Sequence, residues 1–213
     1  MYKRKYVFYL QKIWKAWLQG GFGFASKMVA GHILRNSVSL NEPRYMWERM
    51  WVRDLRQRSE LTVVEIGVYF GNHAEYILKK LDIKQLYLID PYESYGANQR
   101  EGDRPRMSSV EQEARARLEN HAEVTFIKKY SSDALDSIPD QVDLVYIDGN
   151  HAYEYVRDDI ANYNHLVKRG GMLVGHDYAW PFPGVIYAVE EFNQETKSKL
   201  QLDLHGDWWF LFD

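Results

Sequence analysis

"VDLVYIDGNHAYEYVRDDI", residues 142–160, begins as an apolar run and ends in a helical pattern. Val142 to Ile147 is rich in β-branched and aromatic residues, whereas Tyr153, Val156, Ile160 and Tyr163 recur at steps of three and four. An apolar strand feeding such a helix is the mark of a buried parallel strand, because parallel sheets are covered on both faces. Between the two lies Asp148-Gly149-Asn150-His151, a set of polar groups that no core requires. In open α/β sheets ligands bind outside the carboxyl ends of the strands, so these residues stand where chemistry is expected.

The same alternation extends outward from Thr62. Strands are expected at Thr62–Val68, Gln85–Asp90, Val124–Lys129, Val142–Asp148 and Gly171–Gly175. Helices are expected at Asn72–Leu81, Ser108–Asn120, Ser132–Ile138, Tyr153–Val167 and Gly184 to about Lys197, with Ser108 and Glu111 forming a capping box. Strands Leu200–Leu204 and Trp208–Phe212, joined at His205-Gly206-Asp207, read as a hairpin. Repeated βα units give a parallel sheet with right-handed crossovers. The expected fold is therefore α/β, a doubly wound, mostly parallel seven-stranded sheet with an antiparallel C-terminal hairpin, Rossmann-like. Residues 1–60 are expected to form a helical extension and residues 61–213 the globular domain. Glu93 to Met107, with Gly96, Gly102 and Pro105, is expected as a loop on the carboxyl rim.

Composition narrows the function. A length of 213 residues suits one domain with a proper core, and a net charge of -3 gives no overall pull toward nucleic acid. The charge is uneven: Lys3, Arg4, Lys5, Lys12, Lys15, Lys27 and Arg35 all precede the first acidic residue, Glu42. The absence of cysteine excludes disulfides and thiolate metal sites and is compatible with a reducing compartment. Gln11, Lys12 and Lys15 interrupt the run at Tyr6–Leu10 too early for a secretory core or a spanning helix, so a cytoplasmic protein is expected. The aromatic, basic N-terminus reads as an amphipathic helix packed on the domain or on a second copy in a homodimer. A lid over the substrate and peripheral membrane contact are the alternatives.

"VVEIGVYFGNHAEYIL", residues 63–78, places Glu65 near the end of the first strand and Gly67 and Gly71 before a helix. Such a turn lets backbone approach a ligand, and the helix start offers free N–H groups to an anion. A dinucleotide fingerprint starting at Gly67 would need glycine where Tyr69 and Asn72 stand, which argues against a nicotinamide oxidoreductase. Asp90 closes the second strand in "LYLIDPY" and could accept both ribose hydroxyls or be an ordinary surface acid. With the glycines and Tyr130-Ser131-Ser132-Asp133 after the third strand, it reads as part of a nucleoside site.

These residues carry a resemblance to the class I S-adenosylmethionine-dependent methyltransferases, extending from Thr62 to Asp213. "VVEIGVYFGNH", "VDLVYIDGNHAYEYVRDDI" and "GGMLVGHDY" look most like the small metal-dependent O-methyltransferases of the catechol and caffeoyl type. "HDYAWPFPGVIYAVEEF" resembles bacterial relatives that modify sugars and natural products. The resemblance implies that Glu65, Gly67 and Tyr69 line the methionine part of the cofactor, with Gly71 completing the turn. His73, where a small hydroxyl residue is more usual, would face its carboxylate. Asp90 would hold the ribose, and Ser132 and Asp133 would meet the adenine. It further implies Asp148, His176 and Asp177 as metal ligands and His151 as a general base.

Elementary chemistry agrees with that assignment. Methyl transfer from a sulfonium is an in-line displacement, so the protein must chiefly position the acceptor and make it nucleophilic. A divalent cation lowers the pKa of a bound hydroxyl, and an imidazole can take its proton. A histidine ligand favours manganese, iron or zinc; if His176 only buttresses the site, magnesium or calcium fits the two aspartates. The alternative for the trio is a hydrogen-bonded His–Asp rim with no ion, and for His151 a helix-capping or solvent-facing histidine. Asp158 and Asp159 are expected to face solvent or cap charge and to carry no chemistry. Tyr92, Tyr95, Tyr153, Tyr178 and Trp180 either stack on a sugar or aryl acceptor or bury the N-terminal helices. The leading function is thus O-methylation of a sugar, glycan or other small molecule, cation-assisted. The alternatives are a metal-independent or N-directed methyltransferase and a non-catalytic module of the same fold.

Overall fold

The computed structural model describes residues 49–93, 106–203 and 206–213. The expected extension before residue 49, most of the rim loop after Glu93, and Leu204 and His205 of the hairpin lie outside them. The elements are α1 (Met50–Leu55), β1 (Leu61–Ile66), α2 (Asn72–Lys80), β2 (Ile83–Ile89), α3 (Met107–Arg117) and β3 (Val124–Ile127). There follow α4 (Ser131–Ala134), β4 (Val142–Ile147), α5 (Tyr153–Tyr163), β5 (Val167–Gly175), α6 (Pro183–Glu195), β6 (Gln201–Leu202) and β7 (Trp208–Leu211).

The seven strands form one sheet in the order β3-β2-β1-β4-β5-β7-β6, the first five parallel and β7 antiparallel to both of its neighbours. Successive strand side chains point to opposite faces, and the apolar residues divide accordingly. Val64, Ile66, Val145, Ile147 and Leu173 face α5 and α6 through Val156, Ile160, Val185 and Val189. Val63, Leu86, Leu88, Leu144 and Val174 face the other way, onto Trp51 and Leu55 of α1, Ala74 and Ile77 of α2 and Val110 of α3. β4 is buried at all six positions, as a central parallel strand must be.

Several expected boundaries move. Met107 opens α3 after Arg106, with no side-chain cap, so Ser108 and Glu111 do not form a capping box. Glu111 instead pairs with Arg115 at 3.0 Å and Lys128 at 2.6 Å. The fifth helix ends at Tyr163, passes through a 3-10 turn at Asn164–Leu166, and Val167 begins β5 rather than ending the helix. Pairing with Val142 recruits Val167, and the register shift that follows is accommodated by Gly170 at φ 77°. β2 starts earlier than expected because Ile83 pairs with Leu61.

Candidate active site

The carboxyl ends of β1, β2, β4 and β5 form one rim. Gly67 has φ 88°, and a Cβ built there would lie 2.2 Å from the carbonyl oxygen of Asp148 and 2.7 Å from Cα of Gly149. The turn after β1 therefore touches the backbone of the loop that carries Asp148. Tyr69, Tyr92 and Asp177 are also in the left-handed region, at φ 50°, 52° and 59°, and all stand on this rim. Each such non-glycine residue costs on the order of 1–3 kcal/mol and persists where its surroundings over-determine it.

Asp90 supplies much of that determination. Its Oδ2 accepts from the amides of Val68 at 2.9 Å and Tyr69 at 3.0 Å, and its Oδ1 from Tyr92 at 2.7 Å. A carboxylate has about four acceptor sites, so the residue expected to hold the ribose is also the scaffold of the glycine turn. Gly71, at φ 73°, is the N-cap of α2 and offers its amides no side-chain oxygen.

Below the rim, Glu65 is 1% exposed and pairs in register with Tyr146. Burial and the nearby Asp148 push its carboxyl well above the usual range. His73, expected to face a ligand carboxylate, turns its Nδ1 to Glu65 Oε1 at 3.3 Å and stacks on Tyr146 with ring centroids 3.8 Å apart. Burial, then Arg49 and His176, hold its imidazole well below the ordinary value. The other ring nitrogen of His73, Nε2, is buried and has no hydrogen-bond partner among the described residues.

Sequence reasoning missed the neighbouring group. Arg49 donates through Nη1 to Tyr146 Oη at 2.6 Å and to the fully buried Asp207, whose other oxygen accepts from Trp51 Nε1 at 2.8 Å. This group ties α1 to the start of β7 beneath the site. No local pattern marks a pair that far apart in sequence.

Asp148, His151 and Asp177 each bring a possible ligand atom within 4.8 Å of the others. His151 Nε2 lies 2.9 Å from Asp177 Oδ2 and 3.6 Å from Asp148 Oδ1. His176 Nδ1 lies 3.4 Å from Asp177 Oδ1 and 3.8 Å from Asp148 Oδ1, with Nε2 turned toward Asp207. The two expected carboxylates thus converge, and the imidazole nearest both is His151. Burial would lower the His151 imidazole, but the carboxylates of Asp148 and Asp177 override it and carry it up to about 9. For His176, burial likewise opposes Asp177, Asp148 and Asp207, with a net rise.

Local structure explains the convergence. The amide of Asp148 donates to Ile66 at 2.8 Å and that of His176 to Ile147 at 3.1 Å, so each strand end hangs on its neighbour. A side chain at Gly175 would lie 2.3 Å from the Trp208 ring; its absence lets the indole cross β5 and donate to the His176 carbonyl at 3.3 Å. Gly184 likewise lets α6 press on the loop, since a Cβ there would be 2.5 Å from the His151 carbonyl oxygen. Phe182 stacks on His151 at 4.4 Å. Two carboxylates and an imidazole are a donor set for a borderline divalent cation.

Ser132 and Asp133 are exposed at the start of α4. The expectation for Asp158 and Asp159 divides: Asp158 is exposed and pairs with Arg157 at 2.6 Å, but Asp159 is buried and receives a hydrogen bond from the Ser131 hydroxyl. Asp159 fails as a solvent residue because it shares the core-facing side of α5 with Val156, Ile160 and Tyr163. Among the rim aromatics, Tyr153 and Tyr178 direct their hydroxyls to Glu191 at 2.6 Å and Glu190 at 2.5 Å; Tyr95 lies outside the described residues.

Residues 64–178 match a family profile described as a methyltransferase domain. An uncharacterised protein of Acanthamoeba polyphaga mimivirus is 31% identical over a 150-residue alignment that covers 67% of this chain and 63% of that relative, so the match spans less than two thirds of the relative's length. Among solved structures, the O-methyltransferase NovP aligns with a TM-score of 0.58 at 21% identity, covering 86% of this chain and 79% of NovP. The O-methyltransferase TomG from Streptomyces achromogenes, solved with SAM, aligns with a TM-score of 0.54 at 14% identity, covering 88% and 90%. These likenesses establish a shared fold.

Proposed function

The chain belongs to the methyltransferase-domain family, and we propose that it transfers a methyl group from S-adenosylmethionine to a hydroxyl of a small-molecule acceptor with the help of a divalent cation. The observation that carries this reading is the convergence of Asp148, His151 and Asp177 within 4.8 Å, the first two on a loop in contact with the Gly67 turn and the third just past β5. A methyl donor seated on that turn would lie beside the acid–imidazole cluster.

The Gly67 turn and Asp90 fit a nucleoside and its amino-acid tail, with Glu65, Tyr69, Gly71 and His73 about the tail and Ser132 and Asp133 about the base. S-adenosylmethionine supplies an electrophilic methyl carbon; the acceptor oxygen displaces S-adenosylhomocysteine and gives up its proton. Asp148 and Asp177, with His151 or His176, would hold manganese or magnesium, which lowers the pKa of an acceptor hydroxyl. In this reading His151 takes the acceptor's proton, and Phe182, stacked on it, holds its ring plane. A sugar or glycan acceptor, a cytoplasmic site of action and a catalytic domain at residues 61–213 belong to the same reading. So does an N-terminal extension that contacts a second copy or a membrane surface.

A metal-free variant of the reading is favoured by one observation: His151 Nε2 stands 2.9 Å from Asp177 and 3.6 Å from Asp148, where the imidazole takes the place of a cation between the carboxylates. To act as the base there it must first give up its own proton, which, against burial, the two carboxylates hold up to about pH 9. Titration calorimetry with S-adenosylhomocysteine and with manganese, before and after EDTA, on the wild type and Asp148→Asn, separates the two. The main reading expects a manganese heat that the variant loses and cofactor binding that both keep. No cofactor heat in the wild type would sink the methyltransferase assignment, and a manganese heat unchanged in the variant would remove Asp148 from the cation site.

A further inference from the structure

We infer that Asp159 and Tyr163 are positioning residues for the adenine end of the cofactor, acting through Ser131. The inference rests on the methyltransferase reading above and deepens it. Ser132 and Asp133, the residues proposed to meet the base, are exposed; among the described residues Ser132 Oγ reaches only Asp133 Oδ1, at 3.3 Å, the Asp133 amide donates to the Tyr130 carbonyl at 3.0 Å, and α4 begins with no side-chain cap. Ser131, immediately before them, is held twice. Its hydroxyl donates to Asp159 Oδ1, and its carbonyl accepts from Tyr163 Oη at 2.7 Å.

The two holding residues are four apart on α5 and so project from one face of it. α5 begins directly after the loop that carries Asp148 and His151. Asp159 also abuts that loop: a Cβ at Gly149 would lie 3.9 Å from Asp159 Oδ2. One buried side chain thus bonds the turn before the adenine subsite and faces the loop of the acid–imidazole cluster at Gly149. It fixes the distance from base to reacting oxygen.

Packing alone does not call for an acid there. Asp159 is 5% exposed among Val156, Ile160 and Tyr163, where an apolar residue would avoid the cost of a buried carboxyl. A polar group in that position is explained by what it binds. Burial carries its carboxyl up to about 7, so a neutral amide of the same shape is a fair replacement.

The test is a double-mutant cycle read by calorimetry with two ligands, S-adenosylhomocysteine and its analogue with hypoxanthine in place of adenine. Asp159→Ala and Ser131→Ala are each expected to weaken S-adenosylhomocysteine about tenfold, the scale of one buried hydrogen bond to a charged group. The double variant should be no weaker than either single one. Both single changes should narrow the preference for adenine over hypoxanthine, since Asp133 no longer sits opposite the exocyclic amine. Asp159→Asn, which can still accept from Ser131, should bind within about twofold of wild type. If Asp159→Ala does not fold, Tyr163→Phe, which removes only the bond to the Ser131 carbonyl, carries the same expectation at smaller size.

Folded variants that keep wild-type affinity, or that weaken both ligands equally, overturn the inference while leaving the methyltransferase reading intact. A wild type that binds neither ligand refutes that reading first.

Discussion

Replacing Gly67 with alanine perturbs the contact on which the rim is built. The added carbon would lie 2.2 Å from the Asp148 carbonyl oxygen, against about 3.3 Å for an ordinary C–H···O approach, so one of the two loops must retreat by about 1 Å. Two costs add. The left-handed φ of 88° costs a residue with a Cβ roughly 1–2 kcal/mol, and forcing a carbon into closed packing costs roughly 1–3 kcal/mol. The sum of about 2–5 kcal/mol corresponds to a fall in Tm of roughly 5–15 °C for a domain of this size. Displacing the Asp148 loop by about 1 Å should also lower kcat/KM about a hundredfold in any assay of methyl transfer. Differential scanning fluorimetry gives the first number and S-adenosylhomocysteine calorimetry tests the site without an acceptor. A variant within 2 °C of wild type that binds S-adenosylhomocysteine unchanged would refute the claimed contact between the two loops.

Two further outcomes are expected. Arg49→Ala leaves Asp207 buried without its cation and should cost on the order of 3–5 kcal/mol in urea denaturation, whereas replacing Arg49 and Asp207 together with apolar residues should cost less. Asp159 gives a pH dependence: its folded carboxyl is raised by burial and then by Asp158, with the Ser131 hydroxyl pulling the other way, to about 7 from 3.8. The folded state then holds a proton that the unfolded chain releases, so this contribution to stability is full below about pH 4 and is lost as pH rises through 7. Asp159→Asn should remove that slope and gain on wild type between pH 5 and 8, by at most roughly 4 kcal/mol; equal slopes would contradict the burial argument.

Much of this was legible in the sequence because it is local. β4 announces itself as five apolar or aromatic residues out of six before a polar break, and the Gly67 and Gly71 turn by glycines where backbone must fold back. Parallel pairing followed from βα repetition, whereas the spatial order, with β1 beside β4, did not. The start of β5 was hidden because Lys168-Arg169-Gly170-Gly171 has the composition of a turn, and only pairing with β4 makes it a strand. Asp159 was hidden because the residue before it, Asp158, really is exposed, so the charge run read as one solvated face. The partnership of Arg49, Trp51 and Asp207 spans the whole described domain and has no periodicity to betray it. Within the site, the aspartates were placed by their strand ends. Which imidazole comes nearest both depended on how Gly175 and Gly184 let Trp208 and α6 close in.

That span has a consequence for synthesis. Asp207 joins Arg49 and Trp51 across 158 and 156 positions. At about 5–20 residues per second, the ribosome holds the indole and guanidinium of α1 without their partner for roughly 8–30 s. β1 to β4 can pair during that interval. The turn at His176 cannot take its final form until Gly206 and Trp208 have emerged to receive the Tyr178 amide and to donate to the His176 carbonyl. A nascent chain halted before β7 would therefore carry a nearly complete sheet, a tryptophan without its acceptor and an unshaped cluster, open to chaperones.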